Sequence, residues 1–471
     1  MIFKIARKEL TEIGREGRFR ITAITLFALL LAALFVSKSY YTSVNAQHSE
    51  AKKNARSEWV EQGQKNPHSA AHYGTYAFKP KYPLSLIDNG VDKYTGVSIY
   101  LEAHKRNEAQ YAAAQDQTAL SRFGDLTPDF VLIFIVPLFI ILIGFNAFTR
   151  ERESGTLRLL KSQGVSTWKL TMGKWLGLFL PVLFIAIPVY VLAALFLANI
   201  KDYGQFSLWA LTLLFGVYLI YYAVFINITL FVSSLFKKSN VAFVTLLGIW
   251  MVSCLAMPKI STVIADKLYP YPTQVEFEEQ IAVDKKKGLD GHNPWNTEAK
   301  MLEEETLKKY GVDSVQQLPF NWDGFLMQEG EKHTADIYFK HYQLLKDTYV
   351  NQTNVYRSTA ALSPFLPTRF LSMAICRTDY TSHWDFANAA ENYRIELVGK
   401  MNGDMAANSK YGDWDYLADD KLWSSVPDFQ YEPASYTTVI RQNTSNLITL
   451  LAWLLLSFAA LYGAVTKMKT I

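Results

Sequence analysis

Trp175–Asn199 reads WLGLFLPVLFIAIPVYVLAALFLAN, twenty-five residues without a single charge. At 1.5 Å of rise per helical residue such a run is about 37 Å long. A bilayer crossing needs roughly 20 mostly apolar residues, so this stretch suffices. Five others share its character: Ile21–Ser37, Phe130–Phe148, Ser207–Phe236, Val241–Pro258 and Asn443–Thr466. Together they predict a mainly α protein with six membrane-crossing helices. Bulk composition hides this, because 50% hydrophobic and 19% charged residues describe an ordinary globular mixture.

The first stretch is the shortest and lies near the N-terminus. Its lead-in carries Glu9, Glu12 and Glu16, and its exit, Val36-Ser37-Lys38-Ser39, has no small-x-small cleavage signature. It reads as an uncleaved anchor rather than a signal peptide. Tyr40-Tyr41, just beyond, suits the headgroup belt.

Charge then sets the expected orientation. Lys4, Arg7, Lys8, Arg15, Arg18 and Arg20 precede the first span, and Arg150, Arg152, Arg158, Lys161, Lys169 and Lys174 follow the second. With Lys237, Lys238, Lys467 and Lys469, one side holds sixteen basic residues against five acids. The positive-inside rule makes that side, and both termini, cytoplasmic. Residues 259–442 carry 19 basic and 27 acidic residues, and 38–129 are near balance, so both are expected outside.

The expected organisation is therefore an amphipathic cytoplasmic helix within 1–20, spans at 21–37, 130–148, 175–199, 207–236, 241–258 and 443–466, an inner loop at 149–174, and extracytoplasmic segments at 38–129 and 259–442. The outer segments read as one mostly helical body. In the first, Ser43–Gln62 and Val97–Leu120 are expected helices around a Pro-, Gly- and Tyr-rich middle, His68–Asp92, expected as loop or short strands. In the second, helices are expected at Glu298–Tyr310 (ending on Gly311), Glu331–Tyr356 and His383–Met401. Ala360–Cys376 is apolar but holds Pro364, Pro367 and Arg369, and reads as an interfacial or buried segment. Tyr411–Tyr436 should be loops or short strands. The two cysteines, Cys254 in a span and Cys376 outside, are not expected to pair. A net charge of +4 gives no reason to expect a nucleic-acid partner.

The inner loop opens Phe148-Thr149-Arg150-Glu151-Arg152-Glu153-Ser154-Gly155-Thr156-Leu157 and runs to Gly164, Gly173 and Lys174. It offers a short charged helix, broken at Gly155 and Gly164, with Leu157, Leu159 and Leu160 as an apolar edge. Such an element can dock in a groove of a soluble partner, its carboxylates meeting basic residues there. The plainer reading is a loop whose arginines only enforce topology.

The string resembles the first inner loop of the ABC-2 family of ABC-transporter permeases, which carries a similar E-R-E-x-G-T-L pattern and a G-K before the next span. Here those are Glu151-Arg152-Glu153-Ser154-Gly155-Thr156-Leu157 and Gly173-Lys174. Lys8-Glu9-Leu10 and six spans fit the same family. His292-Asn293-Pro294, Ser363-Pro364, Thr378-Asp379-Tyr380 and Glu391 with Arg394 resemble a subgroup bearing a large outer insertion of unknown function. Cys376-Arg377 departs from the small pair expected before Thr-Asp-Tyr.

The resemblance implies a type V-like permease of a bacterial inner membrane. It would pair with a second permease copy or a paralogue and with a separately encoded ABC ATPase, on which ATP and Mg would bind. Glu151 to Leu157 and Gly164 would couple to that ATPase. Periplasmic partner proteins are a further expectation.

No G-x-x-x-x-G-K-[ST] string occurs, and the longest inner loop is about 25 residues, too short for an ATPase domain. No cofactor is therefore expected in this chain. Ion-coupled carriage typically needs ionisable groups at membrane depth, and the six apolar stretches contain none. Asn227 and Thr229 are the main polar groups there, and such residues more often join helices. All eight histidines (48, 68, 72, 104, 292, 333, 341, 383) lie in the outer segments. His68 and His72 have i, i+4 ligand spacing, but Pro67 and Tyr73-Gly74 suggest a loop there, so no metal or catalytic residue is assigned. A competing class, a membrane-anchored outer enzyme, would need His292, Asp379, His383 and Glu391 to converge. A sensor or scaffold would lack an ATPase partner.

Overall fold

The computed structural model describes residues 1–112, 126–200 and 206–468. Among them, six helices are long and apolar enough to cross a membrane: Gly17–Val60, Pro128–Glu153, Thr167–Ala198, Leu208–Leu235, Ser239–Leu268 and Thr444–Thr466. Ile2–Arg15 precedes them as a separate helix. It presents Ala6, Glu9 and Ile13 inward and lies along the third membrane helix. The contact is close because Gly173 and Gly177 leave room. A Cβ on either would fall 2.5 Å from the Ile5 side chain or 2.6 Å from that of Glu9.

The first membrane helix does not stop at the expected span. It continues for 44 residues to Val60, about 66 Å at 1.5 Å per residue, and so absorbs the helix expected over Ser43–Gln62. Two membrane helices carry π turns, at Val131–Ile135 and Val252–Ala256. Each turn is followed by a proline, Pro137 or Pro258. A proline has no N–H to give the carbonyl five residues back. Those carbonyls find side-chain donors: Tyr222 Oη donates to Leu132 at 3.0 Å, and Ser363 Oγ to Ser253 at 2.8 Å. Buried backbone is thereby satisfied where water is excluded.

Residues 38–112 and 259–442 pack into one body at the end of the bundle away from the N-terminal helix. Its frame is the antiparallel pair Trp322–Thr359 and Tyr380–Asn408. Thr297–Tyr310 ends at Gly311, whose φ of +66° is the left-handed cap that favours glycine. The apolar segment expected as interfacial or buried is the helix Phe365–Cys376. It packs on the fourth membrane helix, where Tyr218 Oη and Ser372 Oγ lie 2.7 Å apart. Cys254 and Cys376 are both buried and free.

Two expectations for 38–129 need correction. Val97–Leu120 is not a helix at its start: Ser98–Glu102 is β2, pairing with β1 (Thr75–Phe78) and with β3 (Lys105–Arg106) in an antiparallel sheet. The strand obeys period two, since Ile99, Leu101 and Ala103 are buried while Tyr100 and Glu102 are less so. The rest of that expected helix falls mainly on 113–125, outside the described residues. Conversely, His68 and His72 do not lie in a loop. Pro67–Tyr73 is a helix in which Asn66 accepts from the His68 N–H, Pro67 occupies the first turn and Gly74 closes it. Proline and glycine here mark a helix start and stop.

Candidate functional site

Residues 149–174 gather charges from distant parts of the chain. Lys174 is buried, its side chain 2% exposed, and donates to Glu9 at 2.8 Å and Glu151 at 2.9 Å. Lys8 adds a contact to Glu151 at 3.4 Å, and the Phe148 ring centroid lies 5.6 Å from Lys174 Nζ. Arg150 reaches back to Glu12 and, at 2.9 Å, to Glu16. Arg150 and Glu151 thus bind the loop to the N-terminal helix and the third membrane helix.

The next two charges face elsewhere. Arg152 donates to the carbonyls of Ser234 and Phe236 at the end of the fourth membrane helix. Glu153 accepts from the Ser239 N–H at 2.8 Å and its hydroxyl at 2.9 Å, at the first turn of the fifth. An acidic group there also meets the positive end of the helix dipole. Four consecutive side chains therefore join five helices.

Of the two carboxylates, Glu151 is taken up inside the chain, whereas Glu153, paired with Ser239, stays exposed. Glu151 is 4% exposed and neutralised within the chain. The exposed surface of the loop is Glu153-Ser154-Gly155-Thr156, then Arg158, Leu159 and Ser162 to Gly164. Leu157 is buried and anchors the helix Thr156–Ser162 from beneath. Gly155 at φ +77° and Gly164 at φ +75° take the left-handed turns on either side. Lys161 donates to the Met468 carbonyl at 2.6 Å, tying the same element to the chain end.

The motif residues of 259–442 divide. Ser363 serves the backbone of the fifth membrane helix and accepts from the Phe365 N–H, with Pro364 opening the helix after it. Thr378 lends its carbonyl to the Val91 N–H at 2.8 Å. A side chain on Gly90 would collide with that carbonyl. Asp379 caps Tyr380–Asn408 through Ser382, and the Tyr380 ring packs on Tyr349 with centroids 3.9 Å apart. Arg394 is fully buried between Glu391, at 2.8 Å, and Glu331. Burial opposes ionisation of Glu331, but the His104 hydrogen bond and Arg394 outweigh it and hold its carboxyl at about 2. Asn293 accepts from the Trp295 N–H in an exposed turn with Pro294.

These residues do not converge as an enzyme site would require. His383 and Glu391 are eight residues apart on one helix, about 12 Å, and Asp379 is spent on its cap. His383 is half-buried, with its Nδ1 atom enclosed and unpartnered. His292 leaves this group altogether and meets His68, His72 and His104.

Sequence reasoning missed the ion pairs at depth. In the sequence Lys174 reads as a topogenic charge and as half of the Gly173-Lys174 pair, not as a buried ion-pair partner, although the Gly173-x-x-x-Gly177 spacing around it signals a close helix contact. It also missed Asp88, Arg369 and Asp129. Arg369 binds Asp88 at 2.9 Å and Asp129 at 2.6 Å, fastening both outer segments to the start of the second membrane helix. No local pattern marks that triad.

Six helices long and apolar enough to cross a membrane, joined by a charged loop and packed against a helical body, describe a polytopic membrane protein. The family model of the ABC-2 family transporter protein matches residues 3–469, and the chain belongs to that family. Members are generally non-catalytic membrane subunits. No curated protein matches the chain.

Proposed function

We propose that this chain is the membrane subunit of an ATP-driven transporter of the bacterial inner membrane, with both termini cytoplasmic. It works with a separately encoded ABC ATPase and a second copy or paralogue of itself. The observation that carries this reading is the hub at Arg150 to Glu153. A push on the exposed edge 154–164 reaches the N-terminal helix and third span through Arg150 and Glu151. It reaches the fourth and fifth spans through Arg152 and Glu153. ATP-driven closure of the ATPases would move this edge, and the spans would carry that motion to the periplasmic body for export or for mechanical work on a periplasmic partner.

The test is co-purification from detergent-solubilised membranes, with bound proteins identified by mass spectrometry. Leu159→Asp changes a side chain that is 57% exposed, so the chain should fold while the ATPase is lost. Recovery of the ATPase with both Leu159→Asp and Ser154→Arg would overturn the assignment of this edge. The competing enzyme class is disfavoured because Asp379 is held in its helix cap and His383 and Glu391 stand about 12 Å apart along one helix.

A further inference from the structure

Four histidines from three separate stretches meet in the outer body. His68 and His72 come from one face of the helix Pro67–Tyr73, a turn apart. His104 comes from the two-residue turn between β2 and β3, and His292 from the loop before Thr297–Tyr310. One ring nitrogen from each lies within 4.8 Å of all the others. His68 Nε2 is 2.9 Å from His292 Nε2 and 3.1 Å from His72 Nε2.

Proton placement makes the cluster unusual. His68 Nδ1 is 2.9 Å from Asn402 Oδ1, an oxygen that can only accept, so Nδ1 carries the hydrogen and Nε2 is a bare lone pair. Asn402 Nδ2 in turn donates to Gln328 Oε1 at 3.3 Å. His104 Nδ1 likewise faces the Glu331 carboxylate at 2.9 Å. Its Nε2 is buried and has no hydrogen-bond partner. At least two lone pairs therefore point inward, and a single lone pair on His68 is approached by two other nitrogens. Hydrogen bonds among neutral rings cannot satisfy this set. A cation at the centre can.

The scaffold enforces the convergence. His104 holds φ of +63°, a left-handed conformation uncommon outside glycine that asparagine, aspartate and histidine adopt most often. Its N–H also donates to Glu331 at 3.0 Å, and Arg394 holds Glu331 in turn. Gly291 and Gly330 are in backbone contact, a Cβ on Gly330 falling 2.5 Å from Gly291, and this presses the His292 loop onto Trp322–Thr359. Carboxylates that orient ligating imidazoles, as Glu331 does for His104, are a regular part of metal sites. Glu102, Asp290 and Glu331 supply negative potential around the rings. His72 and His292 are exposed, which gives an ion access.

We propose that His68, His72, His104 and His292 bind a divalent transition-metal ion, Zn²⁺ in the first instance, that clasps the two inserted segments together. A Zn–N bond of about 2.0–2.1 Å in tetrahedral geometry implies N···N separations of about 3.3–3.4 Å. The separations of 2.9 and 3.1 Å need to open by a few tenths of an ångström, and the others, none above 4.8 Å, to close by up to about 1.5 Å. Imidazole ligands select Zn²⁺, Cu²⁺, Ni²⁺ or Co²⁺ over Mg²⁺ and Ca²⁺. Four protein ligands and no free position describe a structural rather than a catalytic centre. Three ligands come from the first inserted segment and one, His292, from the second, so the ion would cross-link parts of the chain more than 180 residues apart.

The test uses the full chain in detergent, purified through a tag without histidines, stripped with a chelator and titrated with Zn²⁺ alone. The expected result is one Zn²⁺ per chain by elemental mass spectrometry and a higher unfolding temperature with Zn²⁺ than without. Co²⁺ should give the intense visible bands of four-coordinate nitrogen ligation. His72→Gln and His292→Gln lie at the exposed side, so both should fold. Each should weaken binding at least about tenfold, since even a lost outer-shell partner costs roughly 10–100-fold. His383→Gln, outside the cluster, should bind as the parent does. Stoichiometric binding that survives both His72→Gln and His292→Gln would overturn the proposal, as would a parent chain that retains no Zn²⁺ beyond the level of His68→Ala/His292→Ala.

Discussion

Replacing Lys174 by methionine keeps the length of the side chain and removes its charge. In the parent chain Nζ lies 2.8 Å from Glu9 and 2.9 Å from Glu151, whose side chains are 8% and 5% exposed. The variant leaves two buried carboxylates facing each other with only Lys8, half-exposed and 3.4 Å from Glu151, to answer them. Removing one partner of a buried ion pair typically costs about 3–5 kcal/mol, because the remaining charge is stranded. That cost falls on the contact between the N-terminal helix and the third membrane helix. Thermal unfolding of the detergent-purified protein, followed by loss of monodisperse material, should show Lys174→Met clearly less stable than the parent. Adding Glu9→Gln and Glu151→Gln should recover most of the loss, since no charge is then stranded. The N-terminal helix should also become accessible to protease in Lys174→Met alone. Equal stability of Lys174→Met and the parent, with no added cleavage before residue 16, would refute the buried network.

Three other outcomes follow from the packing. Gly177→Leu should cost about 1–3 kcal/mol by overpacking against Glu9. Gly216→Ala, a membrane-helix glycine with nothing within 4 Å of its missing Cβ, should be neutral in the same melting assay. Arg369→Met strands Asp88, which is fully buried, and Asp129. Limited proteolysis should then release the helical body at a lower temperature, with a loss of about 3–5 kcal/mol. His383 is pushed down from 6.5 to about 4, by burial first and by Lys79 second. Its neutral form therefore stabilises the fold above pH 6.5, and that contribution is lost as pH falls toward 4. At about 1.4 kcal/mol per unit this amounts to about 3 kcal/mol. Melting curves of His383→Phe should be flatter than those of the parent between pH 6.5 and 4.

The six membrane helices were legible because an apolar run without charges has few other uses, and Trp175–Asn199 shows it plainly. Their extents were less so. The first helix passes from apolar to polar near Lys38 with no breaker, and a hydropathy reading cannot see that it continues to Val60. The Glu151–Leu157 string drew attention to this loop, but which way each side chain faces depends on partners between 23 residues away, Lys174, and 143 away, Lys8. The same limit explains the histidines. His68 and His72 have ligand spacing in the primary structure, yet His104 and His292 join them only through a β-turn and a glycine contact. Ser98–Glu102 was misjudged because alanines and charges after residue 102 suggested helix, while the period-two burial of Ile99, Leu101 and Ala103 belonged to a sheet.

The most direct measurement of the account is site-specific photocrosslinking in living cells, with the crosslinker at residue 159 or at residue 295. Leu159 is exposed on the loop between the second and third membrane helices, and Trp295 is exposed on the helical body at the other end of the bundle. The account predicts an adduct with an ABC ATPase from position 159 and none from position 295. An ATPase adduct from 295, or none from 159 while the ATPase still co-purifies, would contradict it.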